Sequence, residues 1–566
     1  MFPSLSSASV RVLAETFSFT GKEVRWESPR ERGHGDAMTT IALQLAKKLG
    51  KKPRDIAEML AKELEKEKDI EKVEVAGAGY VNVWLTPKAL LSELNATREA
   101  QVRKVARKGE APVIVEYSQP NIAKPLAVHH LIGTIVGQAV SNLYTHAGYN
   151  VIHWNYLGDW GTQFGKLAVA MEKWGTKPAL ECSVDELLAL YVRFNQEAEK
   201  DSALDNEARA AFRKLEEGDA ALRQFWSDVV TVTKNSLQDI YDRLQVSFDL
   251  DLGESFYEDK MKPVLEEGKK KEVFTAGKEG SLIVEFPEEK GFPPYLVLKG
   301  DGATLYSTRD LAQMRYRIDT YHPQEILIFT DIAQKLHFEQ LIETCRMLGW
   351  ELPAFENVLF GRMSFADRSM STRTGNVLKL EEVVNEAVER AEKVITDRGD
   401  GIQTDDPAVL GEMMGIGALV YGILSQNRKM DIVFDWDRML SFEGNSAPYL
   451  QYTHARAKSV LRKADADRDS FLDQDITSLT DAERTLIRTL LLLPSVLEDA
   501  RTSHMPHKLA TFLYQLAQDY NAFYNADPIL KAEEPQKNFR LGLTSLTASV
   551  LKTGADLLTL RVPERM

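Results

Sequence analysis

A β-branched run, a polar loop and a long helical pattern follow one another closely in this sequence. Val113 to Tyr117 has the composition of a buried strand. A proline-containing polar segment, Ser118 to Pro125, comes next, and a helical pattern runs from Leu126 to Ala147. Val151 to Trp154 is the following strand. This β-loop-α-β unit is the building block of a doubly wound parallel sheet, and it predicts a Rossmann-like core.

The chain before this unit predicts a separate small domain. With 566 residues, and roughly 150 residues per domain, we expect three to four domains in all. Residues 1–105 predict an α+β domain that contains two amphipathic helices and two short strands. These elements are Ala37–Leu49, Pro53–Lys66, Val73–Ala76 and Tyr80–Leu85. A charged link over residues 98–110 joins this domain to the core.

The rest of the chain divides into a core domain and a helical domain. The core domain is predicted at residues 106–405, with a charge-rich helical insertion at about 165–245. Further strands are predicted at Ser281–Phe286, Tyr295–Leu298 and Glu325–Thr330. Residues 406–566 are helical almost throughout, which predicts an all-α domain. The expected fold class is therefore multidomain α/β, a doubly wound parallel sheet with a helical insertion between an α+β and an all-α domain.

Composition excludes several classes of protein. No apolar run approaches about 18 residues, and Met1 to Phe19 lacks a secretory pattern, so we expect a cytoplasmic protein without a membrane span. Cys182 and Cys345 are the only cysteines, which excludes a disulfide framework and predicts buried, inert thiols in a reducing compartment. The net charge of −14 argues against a general DNA-binding protein, although local patches can still bind nucleic acid.

The junction between the first core strand and its helix is the most informative place for chemistry. The sequence has no G-x-G-x-x-G motif, no phosphate-binding G-x-x-x-x-G-K-[ST] loop and no H-E-x-x-H zinc motif. A helix start at the carboxyl end of a parallel strand is nevertheless a natural anion site. Lys124, His129 and His130 lie at this start and can bind phosphates. Taken alone, a histidine at a helix start is more often a helix cap or a surface residue than a phosphate ligand.

Several long motifs resemble the arginyl-tRNA synthetases, which are class I enzymes. They are S-x-P-N-I-A-K-P-L from Ser118, G-D-W-G-T-Q-F-G from Gly158, L-Y-S-T-R-D-L-A-Q-M-R-Y-R from Leu305, and the segment S-F-E-G-N-S-A-P-Y-L-Q-Y-T-H-A-R-A-K from Ser441. The start of the chain from Gly35 and the closing R-V-P-E-R-M are also similar to that family. The resemblance covers nearly the whole chain in the family's order, so chance agreement is excluded.

The resemblance implies ATP-dependent activation of L-arginine to arginyl-adenylate, followed by transfer to the 3′ end of tRNA-Arg. ATP would be a substrate with Mg²⁺ on its phosphates, and no protein-bound metal is expected. Because Tyr306 and Asp310 lie four apart on a predicted helix, they share one face. By resemblance, Asp310 faces the guanidinium of arginine. The full set that the resemblance assigns to arginine is Glu116, Ser118, Asn121, Tyr306, Asp310 and Gln334.

The sequence departs from the family at its first ATP motif, H-x-G-H. Ala127 and His129 occupy the positions of the first histidine and the glycine, while His130 keeps the last histidine. A histidine at the glycine position either blocks ATP or stacks on it. Losing one charge-stabilising contact typically costs about 10²–10³ in rate. Lys124, His129 and His130 are the catalytic candidates from this motif.

The second ATP motif, K-M-S-K-S, is also altered. The corresponding segment lies at 369–373 and lacks the first lysine, a loss that is common in the family, where an upstream lysine is thought to act instead. Lys124 matches that upstream lysine. Ser371 and Arg373 are the catalytic candidates in this loop.

The tRNA contacts implied by the resemblance lie at both ends of the chain. Tyr80 and Asn82 match the stretch that binds the tRNA elbow, although Tyr80 fits an ordinary sheet core equally well. The candidates in the helical domain, some of which we expect in the core, are Tyr449, Tyr452, Arg456 and the terminal Met566. We expect a monomer without DNA or membrane partners. The alternatives are a catalytically impaired paralogue that binds RNA, and a class I enzyme for another amino acid, which Asp310 and Glu116 disfavour.

Overall fold

The computed structural model describes most of the chain. The described residues are 3–29, 32–102, 109–365, 378–399, 402–404, 406–464 and 475–566.

The N-terminal domain contains a three-stranded antiparallel sheet covered by helices. Its elements are α1 (Pro3–Phe17), β1 (Ala37–Thr39), α2 (Ile41–Leu49), α3 (Pro53–Leu64), β2 (Ile70–Ala76), β3 (Tyr80–Leu85) and α4 (Pro87–Val102). The strand order is β1-β3-β2. The predicted helix at Ala37–Leu49 was wrong in its first residues, because Ala37 to Thr39 pair with Val81 to Val83 as an edge strand. The helical periodicity begins only at Ile41, and α4 extends into the predicted charged link.

The core domain is built on a five-stranded parallel sheet. Its first elements are β4 (Val113–Glu116), α5 (Val128–His146), β5 (Val151–Asn155), α6 (Thr162–Trp174), α7 (Val184–Ala198), α8 (Ala203–Glu216), α9 (Ala220–Leu244) and β6 (Leu250–Asp251). The insertion α6–α9 separates β5 from β6, which nevertheless pair in parallel. The helical insertion therefore agrees with the expectation from the sequence.

The second half of the core domain completes the sheet. Its elements are α10 (Met261–Lys270), β7 (Thr275–Ala276), β8 (Leu282–Val284), β9 (Tyr295–Leu298), α11 (Tyr306–Tyr321), β10 (Glu325–Asp331), α12 (Lys335–Met347), β11 (Ala354–Phe360), β12 (Met363–Phe365) and α13 (Leu380–Arg398). The parallel sheet has the order β11-β10-β4-β5-β6. Two of the predicted strands, β8 and β9, lie outside it in a small antiparallel sheet with β7.

Both faces of the parallel sheet are covered, which confirms the doubly wound fold. Val113 and Val115 pack with α5 residues on one face, whereas Ile114 packs with residues of α11 and α12 on the other. Alternation along one strand sends successive side chains to opposite faces. Val113, Ile114 and Val115 are all apolar because neither face of the sheet meets water at these positions.

The described residues of the C-terminal part are helical apart from one short strand and the connecting loops. Its elements are α14 (Pro407–Leu424), β13 (Ile432–Phe434), α15 (Trp436–Met439), α16 (Ala447–Lys463), α17 (Asp481–Leu491), α18 (Leu493–Thr502), α19 (His507–Ala526) and α20 (Gln536–Leu557). The strand β13 pairs in parallel with β12 and so links this part to the core domain.

One helix differs from the expectation that no apolar run approaches membrane-spanning length. Helix α14 has 18 residues and is apolar enough to cross a membrane by length and composition. It is a core helix here, since 72% of that window is buried inside the protein, where α14 packs against α13 and α16. Cys182 and Cys345 are both buried, as predicted, and burial raises the pKa of each thiol.

Candidate active site and tRNA-binding surfaces

The loop after β4 is fixed by its contacts with the segment after β5. The amide of Ile122 donates to the carbonyl of Gly158 at 3.1 Å, and the Gly158 amide donates to Pro120 at 2.9 Å. A Cβ atom at Gly158 would lie 2.5 Å from Oδ1 of Asn121, so a larger residue there would displace the Asn121 side chain. The two motifs at Ser118 and Gly158 therefore pair at the carboxyl edge of the sheet.

The same loop contains three non-glycine residues with left-handed backbone. Ser118, Gln119 and Ala123 have φ values of 76°, 55° and 62°. Such residues are uncommon and cluster at functional sites. The Ser118 hydroxyl lies 2.7 Å from the Tyr241 hydroxyl and accepts from Thr134 at 3.0 Å, which ties the loop to α9 and α5. Asn121, by contrast, is exposed.

Helix α5 begins at the carboxyl edge of β4 and presents two histidines there. The imidazole rings of His129 and His130 are 4.0 Å apart. Nδ1 of His130 lies 3.2 Å from both the amide nitrogen and the carbonyl oxygen of Ala127, which anchors the ring to the backbone at the helix start. Burial, helped by the neighbouring His129, lowers the pKa of His130 to about 4. The imidazole of His130 is therefore neutral at pH 7 in the ligand-free protein.

The other basic candidates surround this helix start. The Lys124 ammonium is exposed and lies 5.7 Å from the ring centre of Tyr191 in the insertion. Burial lowers the pKa of His129, and the carboxylate of Asp331 partly opposes this shift. Arg362 Nε donates to Asp331 at 3.0 Å. Ser371 and Arg373 lie outside the described residues.

An acidic pocket lies beside the helix start, at the carboxyl edge of the same sheet. Asp310 on α11 is 9% exposed, and its Oδ2 lies 2.6 Å from Nε2 of His337 on α12. Glu254, in the segment after β6, is half-buried. Burial raises the pKa of Glu254 to about 7, Arg309 opposes the rise, and the carboxylates of Asp159 and Asp310 add to it. The pocket thus gathers carboxylates without an equal number of cations.

Glu116 occupies the floor of this pocket but is already paired. It is 2% exposed and forms an ion pair with the fully buried Arg317. It also accepts from Gln119 Nε2 at 2.6 Å and from Gln313 Nε2 at 3.2 Å. Its charge is therefore balanced within the protein.

Tyr306 and Gln334 lie at the open side of the pocket. Tyr306 is 63% exposed, and its ring makes an edge contact with the His337 ring at 5.1 Å. Gln334 is exposed directly before α12. Sequence reasoning missed Glu254 and His337. The only available signal was their position shortly after the strands β6 and β10, at the edge where the predicted ligands also converge.

The two N-terminal candidates differ in exposure. Tyr80 is 40% exposed at the start of β3, whereas Asn82 is 3% exposed within the sheet, opposite Met38 and Glu74. Only Tyr80 is therefore open to a partner at the surface.

The helical domain contains a cavity of about 750 Å³ with aromatic and basic walls. Three of the predicted residues line it, namely Tyr452, Arg456 and Met566. The Arg456 guanidinium lies 4.8 Å from the ring centre of Tyr452 and 5.1 Å from that of Tyr524. Tyr449 lies outside the lining, and its hydroxyl accepts from Asn521 at 3.0 Å. Stacked rings beside cations are typical of sites for single-stranded bases.

The end of the chain reaches this cavity along α16. Gln451 Nε2 donates to the carbonyl of Arg561 at 2.9 Å, and His454 Nδ1 lies 2.9 Å from the carbonyl of Pro563. Arg462 then donates to the carbonyl of Glu564 at 2.7 Å. These contacts bring Met566 to the cavity wall.

Comparison with known proteins gives one consistent family. The models for the arginyl tRNA synthetase N terminal domain, the catalytic domain of tRNA synthetases class I (R), and the DALR anticodon binding domain match residues 5–85, 92–436 and 450–566. An arginine–tRNA ligase of Fusobacterium nucleatum is 38% identical over 536 residues, covering 94% of this chain and 93% of its own. That of an Exiguobacterium species is 38% identical over 565 residues, covering 99% of both.

Solved structures agree with these sequence matches. The arginyl-tRNA synthetase of Thermus thermophilus has a TM-score of 0.81 at 25% identity and covers 100% of this chain and 99% of its own. That of Plasmodium falciparum has the same TM-score at 22% identity, covers 100% and 98%, and shares the fold. The chain therefore belongs to the arginyl-tRNA synthetase family, and it is an enzyme of the arginine–tRNA ligase class.

Proposed function

We propose that the acidic pocket binds L-arginine, with Asp310 and Glu254 on the guanidinium. The observation that carries this assignment is the Asp310 carboxylate, which is 9% exposed at the carboxyl edge of the sheet, with the half-buried carboxylate of Glu254 close enough to interact with it. Two carboxylates in this arrangement favour a planar cation. Lysine would leave part of this acceptor set unmatched. Tyr306, Gln334, Asn121 and Ser118 surround the α-amino and carboxylate groups, and Glu116 holds the floor through Arg317.

ATP occupies the neighbouring helix start in this proposal. His130 donates Nε2–H to a phosphate oxygen as a neutral imidazole, because its lowered pKa leaves it uncharged at pH 7. Lys124 and Arg373 supply positive charge, while His129 contacts the nucleotide and Ser371 lies in the loop over it. Mg²⁺ would accompany ATP on its phosphates, where it would offset their negative charge.

The first chemical step is an in-line attack by the arginine carboxylate on the α-phosphate. Pyrophosphate leaves, and a terminal tRNA hydroxyl then attacks the carbonyl of the adenylate and releases AMP. The protein provides no nucleophile in either step. Its contribution is to hold the reacting groups close together and to stabilise the developing charge on the phosphates.

The tRNA contacts the two ends of the chain in this proposal. The cavity with Tyr452, Arg456 and Met566 binds unstacked anticodon bases, and Tyr449 supports it through Asn521. Tyr80 contacts the tRNA elbow, and Asn82 supports the strand beneath it. We further propose that the enzyme acts as a monomer in the cytoplasm, with tRNA-Arg as its nucleic-acid partner and neither DNA nor a membrane as a partner.

The arginine pocket is tested by the substitution Asp310→Asn. Loss of one partner of a desolvated charge pair costs about 2–5 kcal/mol, so the KM for arginine should rise at least about 30-fold. The matched control is Asp319→Asn on the same helix, where Asp319 pairs with Arg315 at the surface. Arginine-dependent ATP–pyrophosphate exchange measures both. If Asp310→Asn left the KM and kcat for arginine unchanged, the assignment of this pocket would be wrong.

A further inference from the structure

His337 makes the one direct contact that the described structure gives to the Asp310 carboxylate. The two residues come from different elements, Asp310 from the second turn of α11 and His337 from the first turn of α12. Nε2 lies 2.6 Å from Oδ2, and the side chains are 17% and 12% exposed. A contact this short between partly buried groups is a strong hydrogen bond to an ionised acceptor.

Asp310 and Tyr295 orient the His337 imidazole together, because the carboxylate can only accept and so requires a hydrogen on Nε2. The Tyr295 hydroxyl lies 3.3 Å from Nδ1, on the opposite side of the ring from Asp310. Burial raises the pKa of Tyr295 well above its usual value, so the hydroxyl keeps its hydrogen. When Tyr295 donates to Nδ1, the Nε2 nitrogen bears the hydrogen and donates it to Asp310.

The imidazole is also held from its sides. The ring of Tyr306 contacts it at 5.1 Å in an edge arrangement, and the ring of Phe338 does the same at 5.1 Å. A carboxylate turns readily about its terminal torsion unless one oxygen is engaged. The donor on Oδ2 restrains this rotation, and the described residues place no hydrogen-bond donor on Oδ1.

We propose that His337, oriented by Tyr295, is a positioning residue that holds the Asp310 carboxylate in the plane required by the arginine guanidinium. The inference rests on the proposed role of Asp310 and adds the residues that make its geometry selective. His337 itself contacts no substrate in this scheme. It acts by holding Oδ1 in a fixed direction for a hydrogen bond from the guanidinium, which a freely rotating carboxylate does not provide.

The first test is the set His337→Ala, His337→Gln and Tyr295→Phe in the full-length enzyme. We expect His337→Ala to raise the KM and the calorimetric Kd for arginine about 10- to 100-fold, the effect of losing a hydrogen bond to a charged group. The kcat at saturating arginine and the KM for ATP should stay close to wild type. His337→Gln restores most of the affinity, because its amide nitrogen takes the place of Nε2. Leu336→Ala, an exposed neighbour on α12, is the control.

The second test is independent of activity. A ¹⁵N-histidine spectrum of the ligand-free enzyme should contain an Nε2–H resonance that disappears in His337→Gln and shifts toward a tautomer mixture in Tyr295→Phe. An Nδ1–H tautomer at His337 in the wild type would overturn the proposal.

The kinetic outcomes separate this proposal from the assignment of the pocket. If Asp310→Asn raises the KM for arginine and His337→Ala does not, the positioning role fails while the pocket stands. If neither variant changes it, the pocket assignment fails as well. If His337→Ala lowered kcat and raised every KM by similar factors, and His337→Gln did not restore them, His337 would have a structural role only and the positioning proposal would fail.

Discussion

The buried carboxylate of Asp36 in the N-terminal domain lies 2.8 Å from a guanidinium nitrogen of Arg484 on α17 of the helical domain. Arg488, one turn later, places its Nε 2.5 Å from the other oxygen of Asp36. The same carboxylate also accepts from the Leu85 amide at 2.6 Å. One side chain thus joins the first and last domains, which by the proposal above contact the elbow and the anticodon of a single tRNA.

Replacing Asp36 by asparagine should release the N-terminal domain from α17. The amide can still accept from Leu85 but no longer balances two guanidinium groups. Breaking a buried ion pair typically costs about 3–5 kcal/mol, and we expect this loss in the local opening free energy of residues 81–85, measured by hydrogen exchange. Glu71→Gln, which removes the exposed partner of Arg484, should cost about 0–1 kcal/mol. If the amides of residues 81–85 were equally protected from hydrogen exchange in Asp36→Asn and Glu71→Gln, Asp36 would not couple the two domains.

Arginine binding should strengthen as pH rises through about 7. Glu254 is protonated below its raised pKa of about 7, and the guanidinium prefers the ionised form. The arginine Kd should therefore rise about tenfold per pH unit below that value, with proton release on binding. Calorimetry in two buffers with different ionisation enthalpies measures both the arginine Kd and the number of protons released on binding.

The substitution Glu254→Gln should remove this pH dependence and weaken arginine binding at pH 8. The free enzyme should show the opposite trend in stability, because burial favours the protonated form. The stabilisation from Glu254 is present below its ordinary pKa of 4.5 and is lost as pH rises through about 7. Glu266→Gln, on the exposed face of α10, is the control. If arginine binding by Glu254→Gln still depended on pH in this range, the titrating group would be a residue other than Glu254.

The altered first ATP motif should be compatible with catalysis. We expect wild-type ATP–pyrophosphate exchange that requires arginine and, by family resemblance, tRNA. The double substitution Ala127→His/His129→Gly should raise the rate by no more than about 10²–10³-fold, the contribution of one charge-stabilising donor. Exchange by the double variant alone would support the alternative of a lapsed synthetase that binds RNA.

A peptide extension after Met566 should weaken tRNA binding. The closing residues are held along α16 by three backbone contacts and end at the wall of the cavity. Losing one ordinary interfacial contact would raise the apparent KM for tRNA about threefold or more. The KM for arginine serves as the internal control, and removal of the extension should restore the tRNA value. If the KM for tRNA were unchanged, the closing residues would not be part of the tRNA-binding surface.

The amino-acid sequence by itself determined the features that depend on neighbours along the chain. The β-loop-α-β unit, the helical insertion and the helical C-terminal part were predictable, because periodicity is a local property. The helix-start candidates His129 and His130 were predictable for the same reason, since the strand end and the helix start are adjacent in sequence. The four motifs placed the chain in its family without any tertiary information.

Only the tertiary structure decided which charges balance each other. Glu116 and Arg317 lie 201 residues apart, and their pairing removes Glu116 from the free charge of the pocket. Glu254 joins Asp310 because β6 returns to the sheet after the whole insertion. The edge strand at Ala37–Thr39 forms for a similar reason, since its partner is β3. Burial and pairing of charges depend on contacts between distant segments, and local periodicity contains no information on such contacts.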